Sequence, residues 1–405
     1  NENEYVMKCI MRSLNSARDD IVQVTQIVLE KLTAALFAVA KNPRNPQYNH
    51  YMFESIAVLV KAVCSKYPEH TATFEGLLFP PFQTVLQMDV AEFTPYVFQI
   101  LAQLLEYRAD NSGLGEAYST LLAPLLSPVL WERRGNIPAL TRLLLAYLNK
   151  GCTEIVQKGH LNGMLGVFQK LISSKASEVS AFDLLGGITQ FIPVETLDPM
   201  MTNILQILLM RLQQGKTARY VRLVTGYFAQ FIGQYGAEKL FGLLNGIQPG
   251  LHMMLLGQVW MPRLKDDPPV RMEAKIQIVG LTKLICETPS LLADANGQQI
   301  WIKSLIAVAM ILTSQETYFG ATGANDVDQD VEISYDPSMS RLHFASRTPL
   351  DPFSEINNLA RTFGTALGQL RASNGATVHS LMQQGQGVEP KAFATLQGIL
   401  SKVGL

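Results

Sequence analysis

Apolar residues recur along most of this chain at the spacing of one helical face. One such face combines Phe93, Val97, Ile100, Leu101, Leu104 and Leu105. The intervals i, i+4, i+7 and i+8 place side chains on one side of an α-helix. Sustained alternation of β-branched and polar residues, which would indicate strands, does not occur. The pattern predicts an all-α protein.

Turn signals interrupt these helical stretches. They include Asn42-Pro43, Tyr67-Pro68, Gly135-Asn136, Gln214-Gly215 and Asp267-Pro268. The units that they help to delimit are about 40 to 50 residues long, each enclosing two helix-length apolar segments, which is the period of HEAT or armadillo repeats. Helix pairs are expected at 1–42, 43–89, 90–134, 135–176, 177–215, 216–266 and 267–313, with a last pair near 353–405.

A single helix pair cannot bury its own apolar face, so neighbouring pairs must stack. The sequence therefore predicts a HEAT-repeat superhelical solenoid of about seven to eight helix pairs. The second helix of each pair, from 21–40 to 249–264, is expected to line the concave surface. A non-repeating helical bundle with chance regularity is the alternative.

The predicted organisation has three parts: HEAT-type repeats over 1–313, an acidic insertion loop over 314–352, and C-terminal capping helices over 353–405. Within the insertion, acidic residues are crowded together, and no Lys or Arg lies between Lys303 and Arg341. Insertions in repeat proteins often map to the binding face. The insertion is expected either to contact a partner or to be a solvated linker.

Composition and charge narrow the function classes. The chain is 48% hydrophobic with a net charge of -1, which argues against global disorder and against a field that would attract nucleic acid. The four cysteines are far apart, which suits a reducing compartment. The longest charge-free stretch, 240–262, is interpreted as two helices meeting at Pro249-Gly250, so membrane insertion is not expected.

Motifs for catalysis, cofactors and metals fail at their defining positions. Gly215-Lys216-Thr217 resembles the end of a phosphate-binding loop, but position 210 is Met instead of Gly. Asp326, Asp328 and Asp330 resemble the start of an EF-hand loop, but the sixth position is Val331 and the twelfth is Pro337. The six histidines form no metal-binding spacing. No catalytic residue, cofactor or metal is predicted.

Partner-binding residues are expected at two places. Near Trp131, whose expected role is to pack between repeats, the charged side chains of Glu132, Arg133 and Arg134 lie at a helix end and suit contacts with a partner's charged groups. A solvated helix end explains these arginines nearly as well. In the insertion, the candidates are Asp326, Asp328, Asp330 and Glu332.

Several ordered segments carry a more specific resemblance. They are 49–54 (NHYMFE), 93–99 (FTPYVFQ), 128–133 (PVLWER), 135–140 (GNIPAL), 166–172 (GVFQKLI), 246–249 (GIQP) and 280–284 (GLTKL). With these segments, the chain resembles the C-terminal part of the cellular apoptosis susceptibility family, the importin-α re-exporters among the β-karyopherins (exportins). The match runs to about residue 313 and is weaker from Asp351 onward.

The resemblance implies a monomeric nuclear export receptor that binds importin-α together with Ran-GTP and shuttles between nucleus and cytoplasm. It also implies that the main Ran-GTP contacts belong to an N-terminal part that this chain lacks. Two alternatives remain: a generic HEAT-repeat scaffold or another karyopherin without importin-α specificity, and an enzyme with a dispersed site.

Overall fold

The computed structural model describes residues 2–110, 112–321, 340–346 and 349–402, and these residues are helical with irregular connections. They separate into two compact units. The first unit contains 2–192 together with 340–346, and the second contains 193–321 together with 349–402.

The helices of the first unit follow one another in pairs. They are α1 (Glu4–Ala17), α2 (Thr25–Ala40), α3 (Pro46–Cys64), α4 (Thr71–Gln87), α5 (Thr94–Tyr107), α6 (Gly115–Leu125), α7 (Ile137–Gln157), α8 (Leu161–Ile172) and α9 (Glu178–Phe191). The boundaries follow local chemistry. At the start of α3, for example, the Asn45 side chain accepts the Tyr48 N–H at 3.0 Å and Pro46 occupies the first helical position.

Two helical layers form the first unit. The first helices of successive pairs, α1, α3, α5, α7 and α9, pack side by side in order. In the other layer α4 and α6 stand apart, with a cavity between them. The expectation that the second helices line the concave surface stays a prediction.

The second unit continues the pattern of paired helices. Its helices are α10 (Val194–Gln214), α11 (Ala218–Tyr235), α12 (Ala237–Ile247), α13 (Leu251–Leu255), α14 (Met261–Asp266), α15 (Arg271–Cys286), α16 (Ala295–Ala321), α17 (Leu359–Ser373), α18 (Gly375–Val388) and α19 (Pro390–Lys402). A single π-helical turn, Leu256–Trp260, joins α13 to α14. Helices α11 and α15 pack closely at Gly280, where a Cβ would lie only 2.4 Å from the Ala229 carbonyl oxygen.

Predicted and observed elements agree for most of the chain. The helix pairs expected between 1 and 313 correspond to α1 through α16, and the charge-free stretch 240–262 is broken at Gly250, whose φ is +75°. The end of the chain differs from the expected single pair. Three helices are present there, of which α17 packs on α15 while α18 and α19 pack on α16.

Candidate protein-binding surfaces

A short non-helical segment, residues 340–346, lies against the first-helix layer of the first unit. Its side chains alternate between solvent and protein: Arg341 and His343 are exposed, whereas Leu342 and Phe344 are 1% and 6% exposed. The segment ends in a turn in which the Ser346 N–H donates to the His343 carbonyl oxygen at 2.9 Å. Polar side chains from three helices form hydrogen bonds with its main chain.

Gln99 on α5 bonds the first part of the segment in both directions. Its Nε2 donates to the Ser340 carbonyl oxygen at 2.6 Å, and its Oε1 accepts the Leu342 N–H at 2.9 Å. One amide side chain therefore satisfies a main-chain acceptor and a main-chain donor two residues apart. A neighbouring β-strand would offer the same pair of groups.

Glu54 on α3, Gln103 on α5 and Arg142 on α7 bond the rest of the segment. The Glu54 carboxylate accepts the N–H groups of His343 and Phe344, the latter at 3.1 Å. Gln103 Nε2 donates to the Phe344 carbonyl oxygen at 3.0 Å, and Arg142 Nη1 donates to that of Ala345. We call the surface formed by Glu54, Gln99, Gln103 and Arg142 the α3–α5–α7 face.

Burial shifts the pKa of one acidic and one basic side chain at this face, Glu54 and His50. Glu54 is fully buried, and desolvation raises its pKa to about 7 although two main-chain N–H groups favour the charged form. His50 Nε2 lies 3.7 Å from Glu54 Oε1, and desolvation lowers the pKa of His50 to about 4. At neutral pH, His50 is therefore uncharged, and its Nδ1 lies 3.1 Å from the Tyr96 hydroxyl.

An apolar cavity of about 710 Å³ separates α4 from α6 on the other layer of the first unit. Its lining includes Phe79, Phe82, Phe98, Leu121 and Leu125. This volume falls within the range of small-ligand sites, but few polar groups reach into it. The charged residues near it lie on its edge.

Of Glu132, Arg133 and Arg134, which the sequence singled out, Arg133 lines this cavity. Arg133 makes two hydrogen bonds of 2.6 Å to the carboxylate of Asp89, and these bonds lower the pKa of Asp89. Glu132 lies 3.6 Å from Lys170 Nζ, and Arg134 is exposed. Asp89 adopts a left-handed backbone conformation (φ +50°) just after α4, one that Asp tolerates better than most residues.

Trp131 has the packing role that the sequence predicted. Its side chain is 2% exposed, and its indole N–H donates to the Leu125 carbonyl oxygen at 2.9 Å. The four acidic candidates of the insertion, Asp326, Asp328, Asp330 and Glu332, lie outside the described residues. Their proposed role therefore remains a prediction.

Sequence reasoning missed the α3–α5–α7 face, although a signal was present. Glu54 interrupts the apolar run of α3, and Gln99 and Gln103 are one helical turn apart in the apolar α5. Buried polar groups are stable only with hydrogen-bond partners. Such residues in a helix that is buried on nearly every side indicate a polar partner, but they do not say which segment supplies it.

A metal site and a membrane span have little support among the described residues. Among the described residues, no group of three or more His, Cys, Asp or Glu side chains could hold a metal ion. By length and hydropathy alone, one described helical stretch, Asp20–Ala40, could cross a membrane. A third of that apolar window is buried inside the protein, and a 3₁₀ helix precedes Thr25 within it. Core helices pass the same test, so the stretch is weak support for a membrane span.

Stacked helix pairs define a HEAT-repeat solenoid. The family model for the C-terminus of the CAS/CSE protein matches residues 1–397. The chain therefore belongs to the CAS/CSE family.

The similarity to its relatives extends over nearly the whole chain. It is 36% identical to exportin-2 of Xenopus laevis over 403 residues and 35% identical to exportin-2 of Homo sapiens over 402 residues, in each case with 98% of this chain covered. The chain spans 41% of the length of either relative. A solved structure titled "The exportin Cse1 in its cargo-free, cytoplasmic state" superposes with a TM-score of 0.82 at 28% identity, covering 98% of this chain and 40% of that one. None of these relatives is named for a catalytic activity.

Proposed function

We propose that this chain is the C-terminal arch of a nuclear export receptor, which binds importin-α together with Ran-GTP and carries it from nucleus to cytoplasm. The observation that carries the proposal is the likeness to exportin-2 and to the exportin Cse1 over 98% of the chain. A repeat array presents an extended surface on which many modest contacts add up. That mode suits a receptor that must hold a large protein and later release it.

The chain accounts for part of such a receptor. It spans 41% of the exportin-2 relatives, and the principal Ran-GTP contacts are expected in the remainder. On its own, this chain should bind either partner weakly. The parent protein is expected to act as a monomer that shuttles between the two compartments.

The charged residues Glu132, Arg133 and Arg134 and those of the insertion are proposed to contact the partners. Arg133 and Arg134 would meet carboxylates, and Glu132 a basic group. The acidic residues Asp326, Asp328, Asp330 and Glu332 would face a basic surface of a partner. Charge complementarity of this kind changes the association rate and specificity more than it changes affinity.

Nucleotide-dependent capture tests the proposal. The parent protein and this chain are immobilised separately and offered importin-α with Ran loaded with GTP or GDP. We expect the parent to retain importin-α only with Ran-GTP, and this chain to retain it feebly. Capture that ignores the nucleotide would instead support a HEAT-repeat scaffold or a karyopherin with another cargo.

Charge variants of the parent protein separate the two proposed contact regions. Asp326, Asp328, Asp330 and Glu332 are changed together to Asn or Gln, and association rates are compared at low and high salt. We expect a slower rate with a weaker salt dependence. The matched variant Arg133→Ala with Arg134→Ala examines the other region. Unchanged rates and salt dependence in both variants would remove these residues from the interface.

A further inference from the structure

The α3–α5–α7 face recognises a peptide mainly through groups that every peptide has. Six hydrogen bonds join its side chains to the main chain of Ser340 through Ala345. None of these six bonds involves a side chain of the segment. Such contacts provide affinity without reading sequence, as they do when an extended peptide is added to a sheet edge.

Sequence preference comes from three buried positions of the segment. Leu342, Phe344 and Ala345 are buried, with Ala345 at 0% exposure, whereas the alternate positions 341 and 343 face solvent. Lys61 Nζ lies 6.0 Å from the centre of the Phe344 ring, within reach of a cation–π contact. The face therefore fits a four-residue pattern: an apolar residue, any residue, an aromatic residue and a small residue.

We propose that the α3–α5–α7 face is a peptide-binding site occupied in cis by residues 340–346, and that an extended segment of another polypeptide with the same pattern competes for it. The polar groups and buried positions that hold 340–346 do not depend on a covalent connection to the segment. The proposal is independent of importin-α and Ran-GTP, so it stands or fails separately from the proposed function.

The covalent connection explains why the site is filled in the free protein. A segment of the same chain is present at an effective concentration of about a millimolar for a short linkage. A competing peptide of equal intrinsic affinity must therefore exceed that concentration to displace the segment, and a more dilute peptide must bind correspondingly more tightly. In the wild-type chain the site would exclude weak ligands and admit strong ones.

Binding of a separate peptide to an opened site tests the proposal. The full chain carrying Leu342→Asp with Phe344→Asp loses the buried side chains that dock the cis segment. A fluorescently labelled peptide with the sequence of residues 340–346, blocked at both ends, is titrated against this variant and against the wild type. We expect saturable binding to the variant that is at least about tenfold tighter than to the wild type, because the cis segment no longer competes.

Matched controls locate the bound peptide. Adding Gln99→Leu to the opened variant removes one donor and one acceptor that face the peptide main chain, and should weaken binding by about tenfold or more. A peptide with the same composition in scrambled order should not bind. The milder pair Leu342→Ala with Phe344→Ala serves if the aspartates reduce folding, which circular dichroism would reveal.

Two results would overturn the proposal. One is a folded, opened chain, in either form, that does not bind the peptide at concentrations up to the millimolar range. The other is equal binding to the wild type, the opened variant and its Gln99→Leu derivative, which would place the peptide elsewhere on the protein.

Discussion

Two bidentate arginine–carboxylate pairs link neighbouring repeats of the first unit, and they differ in how far their side chains are exposed. Arg142 on α7 bonds the Glu106 carboxylate at 3.0 and 2.7 Å, and Arg133 bonds the Asp89 carboxylate at 2.6 Å twice. Both pairs are bidentate. However, the side chains of the first pair are 19% and 11% exposed, whereas those of the second are 49% and 66% exposed.

This difference in exposure assigns the pairs different roles. The Arg142–Glu106 pair is partly buried, so loss of either partner leaves a charge that water solvates incompletely. Water and salt ions compete for the charges of the exposed pair, so this pair adds little to stability. An exposed arginine is correspondingly free to exchange Asp89 for a carboxylate on another protein. Geometry alone would not have distinguished a structural contact from a candidate binding residue.

The largest effect is expected at the partly buried Arg142–Glu106 pair. Arg142→Ala should lower the free energy of unfolding by about 3 kcal/mol, because it deprives Glu106 of its bidentate partner and the Ala345 carbonyl oxygen of a donor. Urea unfolding at neutral pH measures the loss. The double variant Arg142→Met with Glu106→Met should be closer to the wild type, since it leaves no charge behind. Equal losses in both variants would show that packing, and not the charge, explains the effect.

A second comparison is between His50 and Glu54, two buried side chains whose pKa values are shifted in opposite directions. Burial raises the pKa of Glu54 from 4.5 to about 7, so its contribution to stability is lost as pH rises through that range. Burial lowers the pKa of His50 from 6.5 to about 4, so its contribution is lost as pH falls through that range. Between pH 4.5 and 6.5 the two slopes oppose each other, and we expect the wild-type protein to show little pH dependence from this pair.

Single variants should uncover the opposing slopes. In His50→Gln, stability should fall by about 3 kcal/mol as pH rises from 4.5 to 7. In Glu54→Gln, it should rise by a similar amount, about 3 kcal/mol, from pH 4 to 6.5. Urea unfolding at four pH values across this range gives the slopes. Slopes of the same sign in the two variants would contradict the assignment.

A smaller loss is expected at the peptide contacts. Gln99→Ala leaves the Leu342 N–H and the Ser340 carbonyl oxygen without their side-chain partner, and should cost about 2 kcal/mol. Hydrogen exchange of the Leu342 amide is the direct readout and should become faster. Gln83→Ala, on the cavity side of α4, is the matched control and should leave that amide unchanged.

The smallest effect is expected at the exposed pair. Arg133→Ala should leave the unfolding midpoint unchanged within error, because solvent replaces the lost contact. In the parent protein, the same variant should still slow association with a partner if the residue lies in the interface. A clear loss of stability in Arg133→Ala would mean that the exposed pair is structural, and would remove the contrast with Arg142.

Local patterns predicted the helices, whereas distant contacts could not be predicted from them. The periodicity of α5 and α7 and the packing role of Trp131 follow from residues close in sequence. The α3–α5–α7 face combines side chains with a segment 203 to 290 residues away, and no local signal pairs Glu54 with Phe344. Amphipathic periodicity likewise marks the buried face of a helix but not the direction in which a stack of helices curves, so the concave side stays a prediction.

The distance along the chain between the α3–α5–α7 face and its peptide has a consequence for synthesis. Residue 340 leaves the ribosome about 150 residues after α9 is complete, an interval of roughly 8 to 30 s at about 5 to 20 residues per second. During that interval the nine helices of the first unit can stack through their local contacts while Glu54, Gln99 and Gln103 lack their peptide. A nascent chain therefore passes through a stage in which this face is open to any extended polypeptide nearby, and it closes the face only once residues 340–346 have been made.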